Sequence, residues 1–123
     1  MQIRETIERL EVLRYGPVAV DRLRHVALVE EKPLDLTPKE FQLLEFFLLH
    51  TDEVVRRTTL LEKVWDMHFD PESNVVDVHV GNLRRKLHRA AGESLITTVR
   101  GVGFALGRAS KPADSTAGDL RAP

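Results

Sequence analysis

The clearest chemical signal in the sequence is a group of nitrogen donors in one segment with a helical pattern. The group consists of Asn82, Arg84, Arg85, Lys86 and Arg89. A guanidinium can donate paired hydrogen bonds to guanine, a carboxamide suits adenine, and further cations bind phosphates. Arg100 follows in a glycine-containing segment, and an arginine on a thin hairpin tip can enter a minor groove. These residue types point to the binding of a nucleic acid.

The charges are distributed unevenly along a chain whose formal net charge is only −1. Between residues 36 and 72, eight acidic residues exceed four basic ones. Between residues 73 and 107, five basic residues exceed two acidic ones. The C-terminal half is therefore where a polyanion would bind.

Catalytic and metal-binding constellations do not emerge from the sequence. The five histidines have no HExxH spacing, the chain has no glycine-rich phosphate loop, and it has no cysteine. His68 with Asp66 or Asp70 lacks a clear third metal ligand. We therefore expect no enzymatic activity, no cofactor, no metal and no small-molecule ligand.

Length and composition indicate a single globular domain. The chain has 123 residues, of which 42% are hydrophobic and 30% are charged. No segment approaches the roughly 20 apolar residues that cross a bilayer, so we expect no membrane partner. The lack of cysteine fits a reducing compartment, and we expect a cytoplasmic protein.

The N-terminal part of the chain favours a small antiparallel sheet. Residues 1–14 are expected to form a linker or a short amphipathic helix. After Gly16, apolar residues alternate in short bursts separated by charged or proline-containing breaks. The alternating pairs are Val18 with Val20, Val26 with Leu28, and Leu34 with Leu36.

Two helices follow the sheet. Thr37–Glu40 has the form of a capping box, which predicts a core helix that runs to about His50. Val54 and Val55 are then extended, and a second helix covers roughly residues 59–66.

The third predicted helix has an apolar face and a polar face. Ser73 offers an N-cap oxygen, and the helix stops at Gly92. At about 100° per residue, one narrow stripe contains Val76, Val80, Leu83 and Leu87. The opposite face and its flanks contain Asn74, Val78, Gly81, Asn82, Arg84, Arg85, Lys86 and Arg89. His79 lies beside this face as a phosphate or backbone contact. Taken alone, this pattern also fits a solvated surface helix.

A basic hairpin follows this helix and favours the binding interpretation. Residues 95–99 and 104–106 are predicted strands, joined by a turn in which Gly101 and Gly103 are free to take positive φ. Beyond them, residues 108–123 are rich in small and polar side chains and predict a disordered tail.

Five ordered motifs give the chain a resemblance to a known family. Over residues 15–107 it resembles the output domain of the OmpR/PhoB-type response regulators of two-component systems. The motifs are Leu36–Phe41, Val64–Asp66, Asn74–Val80, Leu83–Leu87 and Thr98–Phe104.

The resemblance implies an α+β winged helix-turn-helix with a four-stranded N-terminal sheet, three helices and a C-terminal hairpin wing. The third helix would enter the major groove of double-stranded DNA, and Thr98, Arg100 and Gly101 of the wing would enter the minor groove. The function would be sequence-specific regulation of transcription. An alternative is a winged helix that contacts only proteins and binds DNA weakly.

The resemblance also implies that the loop before the third helix contacts RNA polymerase. The residues of this loop would be Asp66, Met67, His68, Phe69, Asp70 and Glu72. The other interpretation is an ordinary loop that packs Phe69 inward. We further expect a monomer in solution that pairs head-to-tail on DNA.

The sequence departs from the family pattern in three places. Gly81 and Asn82 stand where a polar residue followed by arginine is usual, which shifts the expected base preference toward adenine. Arg56 stands where a serine usually caps the second helix, so that helix is expected to start at Thr58 or Thr59. The residues before Leu36 are too few for a receiver domain, which leaves an excised effector domain or a stand-alone regulator.

Overall fold

The described part of the fold combines three helices with two four-stranded β-sheets. A computed structural model describes residues 11–68, 73–107 and 111–112. The helices are α1 (Pro38–Leu49), α2 (Arg57–Val64) and α3 (Val75–Ala91). The strands are β1 (Val12–Tyr15), β2 (Val18–Asp21), β3 (Val26–Val29), β4 (Lys32–Pro33), β5 (Glu53–Arg56), β6 (Ile96–Val99), β7 (Gly103–Leu106) and β8 (Lys111–Pro112). None of these helices is long and apolar enough to cross a membrane. The predicted α+β winged-helix architecture is confirmed.

Strands β1 to β4 form the N-terminal antiparallel sheet in sequence order. Strand β1 begins at Val12, inside the segment predicted to be a linker or helix, and residues 1–10 lie outside the described part. The sequence placed the fourth strand at Leu34 and Leu36, but strand β4 ends at Pro33, before both leucines. Both leucines pack against the core, and the Leu34 N–H donates to the Ala27 carbonyl of β3 at 2.8 Å, so hydrogen bonding to β3 continues one residue beyond the strand.

Helix α1 lies at the centre of the core. Its predicted capping box is confirmed: the Glu40 N–H donates to Thr37 Oγ1 at 3.2 Å, and the Thr37 N–H donates to Glu40 Oε1 at 3.0 Å. Three side chains of α1 are fully buried, and burial of each stabilises the fold by about 2 kcal/mol. They are Leu43, Leu44 and Phe47.

Helix α2 begins earlier than the sequence predicted. Its first residue is Arg57, not Thr58 or Thr59, and Arg56 is an N-cap without a side-chain hydrogen bond in the described structure. Strand β5 also ends at Arg56, whose partner on β7 is Gly103. The strand therefore passes directly into the helix, and this pairing sets the start of α2 in the absence of a capping side chain.

Helix α3 is bounded by Asn74 and Gly92. The N-cap is Asn74 and not Ser73 as predicted, and no side-chain cap bond forms with the described residues. The predicted C-terminal stop is confirmed: Gly92 has a φ of 81°, and its N–H donates to the His88 carbonyl at 2.8 Å.

The C-terminal sheet has the order β6-β7-β5-β8. Strands β6 and β7 form the predicted hairpin, which we call the wing (residues 96–106), and β5 pairs antiparallel with β7. Of the two wing glycines predicted to have positive φ, Gly101 does, at 74°, whereas Gly103 lies in β7 without it. A Cβ on Gly103 would overlap the Val55 carbonyl, so this glycine permits close approach of β5.

Strand β8 lies within the predicted tail. Residues Lys111–Pro112 run parallel to β5, so these two residues differ from the prediction of disorder. Residues 108–110 and 113–123 lie outside the described part of the chain.

A hydrogen bond joins the beginning of the domain to its C-terminal sheet. The Tyr15 hydroxyl at the end of β1 donates to Asp52 Oδ1 at 3.1 Å. Gly107, directly after β7, has a φ of 100°, and a Cβ there would overlap both the Tyr15 hydroxyl and the Asp52 carboxylate. The N-terminal sheet, the start of β5 and the end of β7 therefore meet at one point.

Candidate nucleic-acid interface

Helix α3 divides into the two faces that the sequence predicted. Its buried side chains are Val76, Val80, Leu83 and Leu87, and all four are fully buried. On the opposite side, Arg85 and Arg89 are exposed, Asn82 is partly exposed, and Val78 retains 45% of its surface. This outward face therefore combines hydrogen-bond donors with one exposed apolar side chain.

Two polar residues of the outward face contact each other. Arg85 Nη2 donates a hydrogen bond to Asn82 Oδ1. The two residues are three positions apart and therefore lie on the same face, one turn from each other. Gly81 leaves space beside them, since a Cβ at that position would meet only Arg85 Nη1, at 3.7 Å.

A second arginine of α3 connects the helix to the wing. Arg84 Nη1 donates to Thr98 Oγ1 on β6 at 2.7 Å. At the wing tip, Arg100, Gly101 and Val102 are exposed. The hydrogen bond therefore holds the exposed wing beside the outward face of α3.

Lys86 is directed toward the protein interior. Its ammonium donates to Glu40 Oε1 at 2.7 Å and to the Asp35 carbonyl at 3.0 Å. Glu40 is almost completely buried, and Lys86 is its cationic partner. The structure thus gives Lys86, predicted from its helical position as a flanking DNA contact, a role inside the domain. The partner of Lys86 is 46 positions away, so helical periodicity could not predict it.

The environment of Glu40 keeps its carboxylate ionised. Burial raises the pKa of Glu40, but hydrogen bonds from Lys86 and from the Thr37 backbone, with the charge of Lys86, lower it by more. The net pKa lies below the usual value of 4.5. One carboxylate thereby fixes both the start of α1 and the position of α3.

His79 lies at the edge of the outward face. Its Nδ1 is 2.8 Å from the Val75 carbonyl, and its ring and the Trp65 ring form a T-shaped pair with a centroid distance of 5.3 Å. It is only partly exposed. Its backbone contact is thus to its own helix.

An ion pair that the sequence did not reveal joins α2 to α3. Arg57, the first residue of α2, lies with Nη2 2.8 Å and Nε 2.9 Å from Asp77 Oδ1, in the first turn of α3. The Arg57 guanidinium also lies 5.4 Å from the centre of the Phe104 ring. Arg57 therefore contacts both α3 and the wing, and only the tertiary structure brings these elements together.

The loop between α2 and α3 is described only at its two ends. Asp66 has a φ of 55° and is exposed, as is His68, whereas Met67 packs partly buried against the core. Phe69, Asp70 and Glu72 lie outside the described residues. In the part of the chain with described coordinates, no three acidic or histidine side chains converge to hold a metal ion.

Three helices share one core, and the third of them has a polar outward face and is followed by a hairpin with an exposed arginine at its tip. This arrangement defines the winged-helix class of DNA-binding domains. The family described as "Transcriptional regulatory protein, C terminal" matches residues 31–106, and the chain belongs to this family. The predicted resemblance to OmpR/PhoB-type output domains is confirmed.

Relatives and solved structures agree with this assignment. The transcriptional regulatory protein PrrA of Mycobacterium tuberculosis is 46% identical over 96 residues, which cover 78% of this chain and 41% of PrrA. The chain thus spans about two fifths of the length of that relative. The DNA-binding domain of CpxR from E. coli has a TM-score of 0.70 at 31% identity, over 80% of this chain and 97% of that one. The AdeR DNA-binding domain, solved in complex with an intercistronic region, has a TM-score of 0.69 at 29% identity, over 77% and 98% of the two chains.

Proposed function

We propose that the domain binds double-stranded DNA sequence-specifically and thereby regulates transcription, with α3 in the major groove and the wing in the minor groove. The observation that carries this proposal is the Arg84 to Thr98 hydrogen bond, which holds the wing next to the donor-rich face of α3. A duplex presents its two grooves side by side, so a helix and a hairpin fixed in this way fit adjacent grooves. Because the proposed ligand is DNA, the protein would act in the same compartment as the chromosome.

We assign different tasks to the residues of this surface. Asn82 and Arg85 face base edges, and Val78 lies beside them to contact an apolar base atom such as the thymine methyl. The assignment to phosphates rests on hydrogen-bond donors and position. It comprises Asn74, His79, Arg84 and Arg89, with Gly81 permitting close approach. Thr98, Arg100 and Gly101 form the minor-groove contact.

We also propose two protein partners, RNA polymerase and a second copy of this protein. The exposed Asp66 and His68, with the rest of the loop up to Glu72, form a surface for RNA polymerase. On direct-repeat sites, two copies bind head-to-tail, while the free protein is a monomer. We propose no catalytic activity and no cofactor.

The function is tested by selecting binding sites from a random duplex library at near-physiological salt. We expect enrichment of a defined sequence. Arg85→Ala should relax the preference at its base pair, whereas Arg100→Ala should weaken binding to most sequences. Arg14→Ala serves as the matched control, because Arg14 lies on β1 and pairs with Glu31 at 3.8 Å. No enrichment by folded protein would contradict the proposal and favour a protein-docking role.

A further inference from the structure

Helix α3 is joined to the C-terminal sheet at two points along its length. Arg84 donates to Thr98 on β6 at 2.7 Å, and Asp77 accepts from Arg57, the residue that directly follows β5. Asp77 and Arg84 are seven positions apart in the sequence. At about 100° and 1.5 Å per residue, they lie about 20° apart around the helix and about 10 Å apart along its axis. One face of α3 therefore carries both contacts.

The position of Arg57 is fixed by the C-terminal sheet. Strand β5 pairs with β7 up to its last residue, Arg56, and α2 begins directly afterwards. The Arg57 guanidinium lies over the Phe104 ring, 5.4 Å from its centre, and Phe104 is buried in the core. The charge distribution of an aromatic ring attracts a cation to its face. Arg57 is therefore joined to the sheet through its backbone and through its side chain.

The Arg57 guanidinium restricts the position of Asp77 in turn. Its Nη2 and Nε lie 2.8 Å and 2.9 Å from the same oxygen, Asp77 Oδ1. Two donors of one planar group on one acceptor restrict the direction as well as the length of a contact. The two side chains are 42% and 48% exposed, and ion pairs with such exposure contribute little to the stability of a fold. Loss of this pair should therefore leave the domain folded.

We propose that Arg57 and Asp77 are positioning residues for DNA recognition, which together with the Arg84 to Thr98 hydrogen bond set the angle between α3 and the wing. A single contact would fix a distance and leave the helix free to swing about it, whereas two contacts along the axis also fix its direction. The angle determines whether the outward face of α3 and the wing tip enter adjacent grooves at the same time. This inference rests on the proposed DNA-binding function.

The angle is tested first in the protein without DNA. The chain has no cysteine, so Val78→Cys on α3 and Val102→Cys at the wing tip, both at exposed positions, give two defined sites for nitroxide labels. Electron paramagnetic resonance should show one narrow distance distribution, which becomes broader after Asp77→Asn or Arg57→Met. Glu45→Gln is the matched control, because it neutralises the carboxylate of another ion pair, on α1. Equal distributions in all variants would overturn the inference.

DNA binding then tests the consequence of the angle. Asp77→Asn should weaken binding to the selected site about tenfold, a loss typical of coupled residues. Electrostatics alone predicts the opposite, because the substitution removes a negative charge from a surface that binds a polyanion. Arg100→Ala should cost less affinity in the Asp77→Asn protein than in the wild type, because a wing at a variable angle contributes less to binding. In the Glu45→Gln protein, its cost should equal that in the wild type.

The possible contradictions differ in what they overturn. Tighter binding by Asp77→Asn, or an equal cost of Arg100→Ala in the Asp77→Asn protein and the wild type, would overturn the positioning role and leave DNA binding intact. Arg57→Met/Asp77→Asn should bind no more weakly than Arg57→Met, and a further loss would show that Asp77 acts without Arg57. Failure of the folded wild-type protein to enrich any sequence would overturn the proposed function, while the label distances would still decide whether the two contacts set the angle.

Discussion

At the scale of single residues, Lys86 and Arg85 are neighbours in sequence with different surroundings. Arg85 is exposed on the outward face of α3, while the ammonium of Lys86 lies 2.7 Å from the buried carboxylate of Glu40. A lysine beside an exposed arginine in α3 therefore has a structural task in this domain. The pair with Glu40 also explains how a carboxylate can be buried at the start of α1.

Removal of Lys86 is expected to destabilise the domain without altering its contacts with bases. Lys86→Met leaves Glu40 buried without its cation, which should lower the free energy of unfolding by about 1–3 kcal/mol. Urea unfolding at pH 7 measures this change, and Arg89→Met is the exposed control. A loss of DNA affinity comparable to that of Arg85→Ala, with stability unchanged, would contradict the internal role of Lys86.

The lowered pKa of Glu40 predicts loss of stability in acid. The pKa of Glu40 is lower in the folded than in the unfolded protein. Ionised Glu40 therefore stabilises the fold at a pH above its usual pKa of 4.5, and this stabilisation is lost as the pH falls below that value. Glu40→Gln removes this titration, so the difference in free energy of unfolding between wild type and this variant should shrink below pH 4.5. Urea unfolding from pH 7 downward tests this, and a deficit that does not depend on pH would refute it.

At the residue scale, the sequence predicted features that depend on neighbours in the chain. The capping box of Thr37 and Glu40 is one, since both partners lie within a single turn. The partners of Lys86 and Arg57 could not be predicted, because they lie 46 and 20 positions away. The individual DNA contacts stay predictions.

At the scale of elements, the two wing glycines serve different purposes, and their substitution should show it. Gly103→Ala places a Cβ against the Val55 carbonyl and should force β5 and β7 apart, at a cost of about 3 kcal/mol. Gly101→Ala meets no atom within 4 Å and strains only the backbone at a φ of 74°, at a cost of about 1 kcal/mol. Thermal and urea unfolding compare the two variants, and equal losses would contradict the distinction.

The starts of the helices show what a sequence predicts at this scale. The start of α1 follows from its own capping residues and was predicted correctly. The start of α2 was placed too late, because pairing of Arg56 with Gly103 ends β5 and fixes the next residue as helical. Such pairing involves residues distant in the chain, and a local pattern contains no information about it.

At the scale of the whole molecule, a nearly neutral chain presents an outward face with exposed arginines. If Arg89 binds a phosphate, Arg89→Ala should reduce the steepness of log K against log salt concentration by about 1. Arg14→Ala, on β1, should leave the slope unchanged. Titrations of a fluorescent duplex at several salt concentrations measure both slopes. Identical slopes for wild type and Arg89→Ala would exclude a phosphate contact.

The overall architecture was predicted correctly from ordered motifs spread over the chain. The motifs lie at the start of α1, at the end of α2, in α3, where there are two, and in the wing, so their order fixes the succession of the helices and the wing. The short strand β8 could not be predicted in this way, because it occurs in a segment of small and polar residues without an apolar pattern.

The hydrogen bond between Tyr15 and Asp52, with Gly107 packed against both groups, brings the last residue of β1 next to the residue that follows β7. Since β1 has only four residues and spans about 13 Å, a linker slightly longer than that strand could connect the residue after β7 to the residue before β1, and the chain could be opened elsewhere. The turn at residues 22–25 is suited to the new termini, because Leu23 is 72% exposed. The domain is in this sense circularly permutable, and a host protein could accept it as an insert within one of its own loops.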